Sequence, residues 1–344
     1  MLRTGAARYR AEVSGPVVPD PRPRGTTLDS PPAILVENLV KRYRKADRNA
    51  VDGIGFEVRG GEFFALLGPN GAGKTTTLSI LTTTLAPTGG RALIDGHDVV
   101  ADAALVRRQV GIIFQKPSLD KNLTGEENVR FHAILYGLYP YAPAYRLMDP
   151  GYRRQVQEAA ALLGLGPEIF HPVRTYSGGM VRKLEIVRSL IHRPRVLFLD
   201  EPTTGLDSPS RRTLWDYLRT VRRESGTTIV LTSHYLEEAE QADRICVVDH
   251  GRIVATGAPA DLTAALAREW LVVDADDRVR LRDELVRRGL APSGDGPFRL
   301  EIGTGGVHAA LRAIETPLTL VRTHAPTLED AYLEIVSRSE LADV

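Results

Sequence analysis

Apolar positions along the chain fall into two kinds of run. Phe63-Phe64-Ala65-Leu66-Leu67, Val196-Leu197-Phe198-Leu199, Ile229-Val230-Leu231 and Ile245-Cys246-Val247-Val248 are uniformly apolar, without alternation. That is the pattern of strands covered on both faces. Another strand is expected from Ile34 to near Tyr43. After Lys74 the period changes: Leu78, Leu81 and Leu85 recur on one side of a predicted helix, and helical patterns separate the other runs. Buried strands alternating with helices predict an α/β domain with a mainly parallel sheet.

From about Asp261 the elements become smaller. Strands are predicted over 271–273, 298–302 and 318–321, with amphipathic helices over 278–288 and 307–314 and a closing helix over 328–336. These form an expected C-terminal α/β domain, residues 261–344. Residues 1–32 differ again, with Pro16, Pro19, Pro21, Pro23, Pro31 and Pro32 among arginines and no apolar face. Such a segment buries too little to offset its ordering entropy, and a disordered tail is expected.

Composition narrows the class without choosing a function. The 344 residues carry 44 Lys+Arg against 43 Asp+Glu, a net charge of +1 that provides no long-range field for nucleic acid or anionic lipid. A hydrophobic fraction of 43% is ordinary for a soluble globular protein. The lone cysteine, Cys246, excludes an internal disulfide, suits a reducing compartment and reads as a small buried hydrophobe. No apolar stretch approaches the roughly 20 residues of a membrane helix, and no secretory signal is legible. A cytoplasmic setting is expected.

Three motifs carry chemistry. Gly68-Pro69-Asn70-Gly71-Ala72-Gly73-Lys74-Thr75 fits the phosphate-loop pattern between a buried strand and a helix. Its glycines permit close backbone approach, its N–H groups can cradle an anion at a helix N-terminus, Lys74 can reach outer phosphates, and Thr75 can ligate Mg²⁺. Asp200-Glu201-Pro202 follows the strand at 196–199, where open α/β sheets bind ligands. Asp200 is a candidate Mg²⁺ ligand and Glu201 a candidate base for water. Ser177-Gly178-Gly179-Met180 opens a helix and is a second candidate anion-binding terminus.

With these motifs in this order, residues 34–260 resemble the ATP-binding cassette (ABC) family, a P-loop NTPase fold. The resemblance makes Gly68–Thr75 the Walker A loop, followed by Thr76, and Val196–Glu201 the Walker B strand with its catalytic glutamate. It implies that Tyr43 stacks on adenine, that Gln115 is the Q-loop glutamine touching Mg²⁺ and γ-phosphate, and that Ser177, Gly178 and Gly179 form the signature motif. Asp207, in Gly205-Leu206-Asp207, becomes the D-loop aspartate and His234 the switch histidine. A helical subdomain is expected at about 116–192 within an ATP-binding domain of residues 33–260. Family members pair head to tail, each ATP lying between one Walker A loop and the partner's signature helix. Two departures stand out: Tyr176 precedes Ser177 where the family usually has Leu, and Met180 stands where it usually has Gln.

The stretch Lys116–Asn128 and the segment Pro326–Leu333 look like those of prokaryotic drug-exporter cassettes of the daunorubicin-resistance type. That likeness implies a separate membrane permease, docking near residues 116–140, and a cassette held at the cytoplasmic face of the cell membrane. Phe131, Leu135, Tyr136, Leu138, Tyr139 and Tyr141 would supply contact surface, some of them being local core. Alternatives are a non-transport ABC ATPase acting on nucleic acid or ribosomes, and an importer cassette. Long heptads between Gln115 and Ser177 and a basic footprint, which would mark the former, are absent from the sequence. Asp274, Asp276 and Asp277 read as a solvated acidic turn, and the C-terminal domain as regulatory or dimer-supporting.

Overall fold

The computed structural model describes residues 31–204, 206–266, 270–301, 306–324 and 327–342. The expected tail up to residue 30, Gly205, Ile302 and Pro326 lie outside them. The chain divides into two compact units that interleave in sequence. One takes residues up to Val40, 55–62 and 75–232, and the other takes 41–54, 63–74 and 233–344.

In the first unit, Ile34–Lys41 runs antiparallel to Gly89–Ile94, which turns back onto His97–Asp98. The first strand therefore ends at Lys41, two residues short of Tyr43. A second set is parallel, with Val196–Asp200 between Val110–Ile113 and Thr228–Ser233; Val196 lies opposite both Val110 and Thr228. All five residues of Val196–Asp200 are buried, the four apolar ones as their unbroken run requires and Asp200 with them.

The helices of this unit begin where local chemistry starts them. Thr124 and Glu127 form a reciprocal capping box on Gly125–Leu135, the Thr124 Oγ1 accepting from Glu127 N at 3.1 Å and Glu127 Oε2 accepting from Thr124 N at 2.8 Å. Asp149 caps Pro150–Leu162, with proline in the first turn. Gly226, at φ 65°, ends Ser208–Ser225. Lys74–Leu81 stops before Leu85, against the predicted period. The hydroxyls of Thr82 and Thr84 donate to the carbonyls of Leu78 and Ser79, each at 2.8 Å, and Thr83 turns to φ 61°. A threonine run thus diverts the backbone that Leu85 would have continued.

In the second unit, Phe63–Leu67 pairs in parallel with Arg244–Asp249, which turns back antiparallel as Arg252–Gly257. Cys246 is fully buried there. The smaller C-terminal sheet has Trp270–Asp274 at its centre, antiparallel to Phe298–Glu301 and to Leu320–His324. The last strand starts two residues later than its apolar run suggested. Leu281 and Leu285 of the helix Arg278–Arg287 pack on Leu271, Val273, Phe298 and Leu300. The helix Leu328–Ala342 leaves this sheet and packs on Pro259–Leu266, Arg244–Asp249 and Arg252–Gly257.

The acidic turn is occupied by local work: Asp274 pairs with Arg278 at 2.7 Å, and Asp277 accepts from Arg280 N at 2.9 Å to cap its helix. Among the described residues no three His, Cys, Asp or Glu side chains form a metal-holding group.

Candidate nucleotide and hydrolysis site

The strand Phe63–Leu67 delivers the phosphate loop in the second unit. Lys74 is buried, and its Nζ donates to the carbonyls of Gly68 at 2.7 Å and Pro69 at 2.9 Å. The ammonium thus folds back over its own loop, where an incoming phosphate can exchange for a carbonyl. Crowding here comes from the protein itself. A Cβ on Gly68 would lie 2.1 Å from the Val248 carbonyl oxygen, and one on Gly73, at φ 105°, would lie 2.3 Å from that of Ala50. These glycines are required by packing as well as by any ligand, which motif reasoning alone assigned to the ligand.

Two further residues of that unit stand exposed. Tyr43 is 45% exposed with Lys41 Nζ 5.7 Å from its ring centre, which leaves ring surface open for stacking. His234 lies beside Tyr235, with ring centres 4.0 Å apart. Of the acids after it, Glu238 is buried and accepts from Ser233 Oγ at 2.6 Å, so it anchors the turn that carries the histidine.

In the first unit Thr75 and Asp200 meet, Oγ1 to Oδ1, at 3.4 Å. The same Asp200 oxygen accepts from Thr232 Oγ1 at 2.5 Å, and Asp200 is only 5% exposed. This is a hard, all-oxygen donor pair in a shielded place, the chemistry that suits Mg²⁺ bound through one carboxylate and a hydroxyl. Directly after the strand, Glu201 takes a left-handed backbone with φ 47°. Its side chain departs from that of Asp200, and Oε2 accepts from Gln115 Nε2 at 2.9 Å. Residues 86 positions apart are thereby joined. A strained φ at a charged residue is typical of a site whose surroundings hold it in place.

The signature segment is built as a helix cap. Ser177 precedes Gly178–Leu190, and its Oγ accepts from Met180 N at 3.3 Å. Gly178 is exposed with open space around its Cβ position, whereas a Cβ on Gly179 would lie 3.5 Å from Ser210 Oγ. Asp207 precedes the helix Ser208–Ser225, and the Ser210 hydroxyl holds its carboxyl below the ordinary carboxylate range. Gly179 and Asp207 thus share Ser210 as a neighbour. Tyr176 has its own function: its hydroxyl donates to the Glu168 carbonyl at 2.6 Å, a bond leucine cannot make. Burial, then the charge of Glu168, pushes its phenol up to about 12.

Motif reasoning missed Arg182 and Thr232. Arg182 is 6% exposed, and its guanidinium spans the backbones beside Gln115 and Glu201. The one legible signal was an Arg182/Glu185 pair three residues apart inside an otherwise apolar helix run.

The contact-surface set also separates. Phe131, Leu135 and Tyr141 are exposed, at 39%, 84% and 69%. Tyr136 instead packs against both His132 and His192, its ring tilted to each at centre distances of 4.3 and 4.4 Å, and Tyr139 packs edge-on to Tyr152 while donating to Gln155 Oε1 at 3.2 Å.

Residues 51–204 match the ABC transporter family. Over 252 residues the chain is 43% identical to the daunorubicin/doxorubicin resistance ATP-binding protein of Streptomyces peucetius, covering 73% of this chain and 71% of that one. The chain belongs to the ABC transporter ATP-binding family. It is also 39% identical over 328 residues to the Nod factor export ATP-binding protein I of Ralstonia nicotianae, covering 92% of this chain and 98% of that one. Among solved structures it resembles a dimeric ATP-binding cassette in a post-hydrolysis state bound to ADP and Pi, with TM-score 0.59, 27% identity, and 65% of this chain and 98% of that one covered. The ATP-binding subunit of an ABC transporter gives TM-score 0.60 and 29% identity, covering 68% and 92%. The fold is that of the P-loop ABC cassette, and the chain is an ATPase of that class. Among the described residues no helix is long and apolar enough to cross a membrane.

Proposed function

We propose that this chain is the ATP-hydrolysing subunit of an exporter, working with a separate membrane permease from the cytoplasmic face of the cell membrane. The observation that carries the export reading is the identity with export and drug-resistance ATP-binding proteins, in one case along 98% of the relative's length. Neither the nucleic-acid reading nor the importer reading has comparable support. Residues 33–260 serve as the ATP-binding domain, with a helical subdomain at about 116–192, and 261–344 as an accessory domain.

The site residues take these roles. Tyr43 stacks on the adenine. The backbone of Gly68, Pro69, Asn70, Gly71, Ala72 and Gly73 cradles phosphates, with Thr76 following on the helix. Lys74 leaves its two carbonyl acceptors for the β- and γ-phosphate oxygens. Thr75, Asp200 and Gln115 would hold Mg²⁺, which would supply positive charge to offset that of the phosphates. Glu201 takes a proton from water as its oxygen attacks the γ-phosphorus; the bond to the β-phosphate bridging oxygen breaks, leaving ADP and phosphate. His234 orients the γ-phosphate. Ser177, Gly178 and Gly179 receive the γ-phosphate held by a second copy, and Asp207 lies at that junction. ATP thereby favours the closed homodimer and hydrolysis releases it. Phe131, Leu135 and Tyr141 are the exposed apolar part of the permease dock.

The test is capture of partners by tagged Glu201→Gln from detergent-solubilised native membranes in ATP–Mg²⁺, read by mass spectrometry. One stoichiometric multi-span membrane protein is expected. Recovery of ribosomes or DNA-bound proteins instead would overturn the transport role while leaving the ATPase chemistry in place.

A further inference from the structure

The helix Gly178–Leu190 carries an unusual buried face. Arg182 Nε donates to the Pro202 carbonyl at 2.8 Å, and Nη2 donates to the carbonyls of Asp200 at 3.2 Å and Glu201 at 3.1 Å. Nη1 reaches the Phe114 carbonyl and Glu185 Oε2, the latter at 3.0 Å. All three guanidinium nitrogens are thus used, and the buried charge is matched by Glu185, itself 1% exposed. Glu185 Oε1 in turn accepts from Ser118 N at 3.0 Å, while Arg188 donates to Ser118 O at 2.8 Å and Ser118 Oγ at 2.6 Å. One helix therefore grips the Gln115 segment at Phe114 and at Ser118, and the Glu201 turn at three consecutive carbonyls.

The consequence for the reacting groups is direct. Gln115 Nε2 sits on Glu201 Oε2, and the backbones that carry both side chains are held by one planar cation. The left-handed Glu201 backbone, at φ 47°, has its carbonyl fixed by the same cation. Lysine would keep the charge, but its single nitrogen cannot span both segments as the fork does.

We propose that Arg182 is a positioning residue for hydrolysis: it sets Glu201 and Gln115 in register from the signature helix, and with Glu185 and Arg188 it couples that register to the 116–118 segment. The proposal rests on the assignment of Glu201 as the base. A reacting group displaced by about 1 Å costs on the order of 100-fold in rate. Full-length Arg182→Lys is therefore expected to lose about 10- to 100-fold in kcat per bound nucleotide, with the KM for ATP and the nucleotide-binding stoichiometry nearly unchanged.

The control is Ser189→Ala, which removes a bond from the same helix to the Ile112 carbonyl, 2.8 Å long, without touching the Glu201 turn. It is expected to lower the unfolding midpoint and leave kcat per bound nucleotide intact. Arg182→Gln is the second variant should Arg182→Lys not fold. Unchanged kcat per bound nucleotide in a folded Arg182 variant, beside an inactive Glu201→Gln, overturns the proposal alone. So does insolubility of both Arg182 variants while Ser189→Ala folds, since that makes Arg182 a structural residue. Wild-type hydrolysis by Glu201→Gln overturns the base assignment and the proposal with it.

Discussion

Gly73→Ala separates the two reasons for glycine in the phosphate loop. The new methyl would lie 2.3 Å from the Ala50 carbonyl oxygen, about 1 Å inside the 3.4 Å at which ordinary contact begins, and the residue stands at φ 105°. Forcing an L side chain into a left-handed backbone costs roughly 1–2 kcal/mol, and overpacking a close contact costs a further ~1–3 kcal/mol. Gly71→Ala bears only the first cost, because at φ 83° its Cβ position has nothing within 4 Å. The two variants should therefore differ by about 1–3 kcal/mol, with Gly73→Ala the less stable. Urea unfolding without nucleotide reads this difference free of any ligand effect. Equal midpoints, or a less stable Gly71→Ala, would refute the claim that contact with Ala50, rather than phosphate approach alone, demands glycine at position 73.

Other outcomes follow from single contacts. The Glu284 carboxyl is held down to about 2, first by the Thr316 hydroxyl and then by the Glu315 amide, so its folded pKa lies below the ordinary 4.5. Its stabilisation is complete above the ordinary value and is lost as pH falls from there toward 2. The gap in urea midpoint between wild type and Glu284→Gln should accordingly be present at neutral pH and narrow in acid; a gap that widens there would contradict this. Cys246 is buried and its thiol is pushed up to about 12 by desolvation, so an aromatic disulfide reagent should label it only on unfolding. Thr124→Ala removes the capping box and should cost about 1 kcal/mol in the same urea assay.

Much of this was legible in residue order because the chemistry is local. The unbroken runs at 63–67 and 196–199 became fully buried strands, since no polar residue interrupts either. The phosphate loop and the capped signature helix were readable for the same reason: glycine, serine and lysine act within a few positions of themselves. What was not legible depends on distance in sequence. The Gln115–Glu201 hydrogen bond joins positions 86 apart, and nothing near either residue announces it. Leu85 misled because three threonines outweighed a periodic leucine. The aromatic set after residue 130 could not be divided by pattern, because Tyr136 and Tyr139 turn inward through contacts with His192, in the turn after Gly178–Leu190, and with Tyr152 of Pro150–Leu162. Tyr176 departs from the family pattern, and the partner that accounts for it, the Glu168 carbonyl, lies eight positions away.

The central claim is that Glu201 drives ATP hydrolysis in a nucleotide-closed pair of cassettes. It is tested most directly by comparing wild type with Glu201→Gln in ATP–Mg²⁺, measuring phosphate release and molar mass on the same samples. Retained ATP binding, strongly reduced phosphate release and accumulation of dimer are the predicted result. Undiminished phosphate release, or a monomer at saturating ATP, would contradict it.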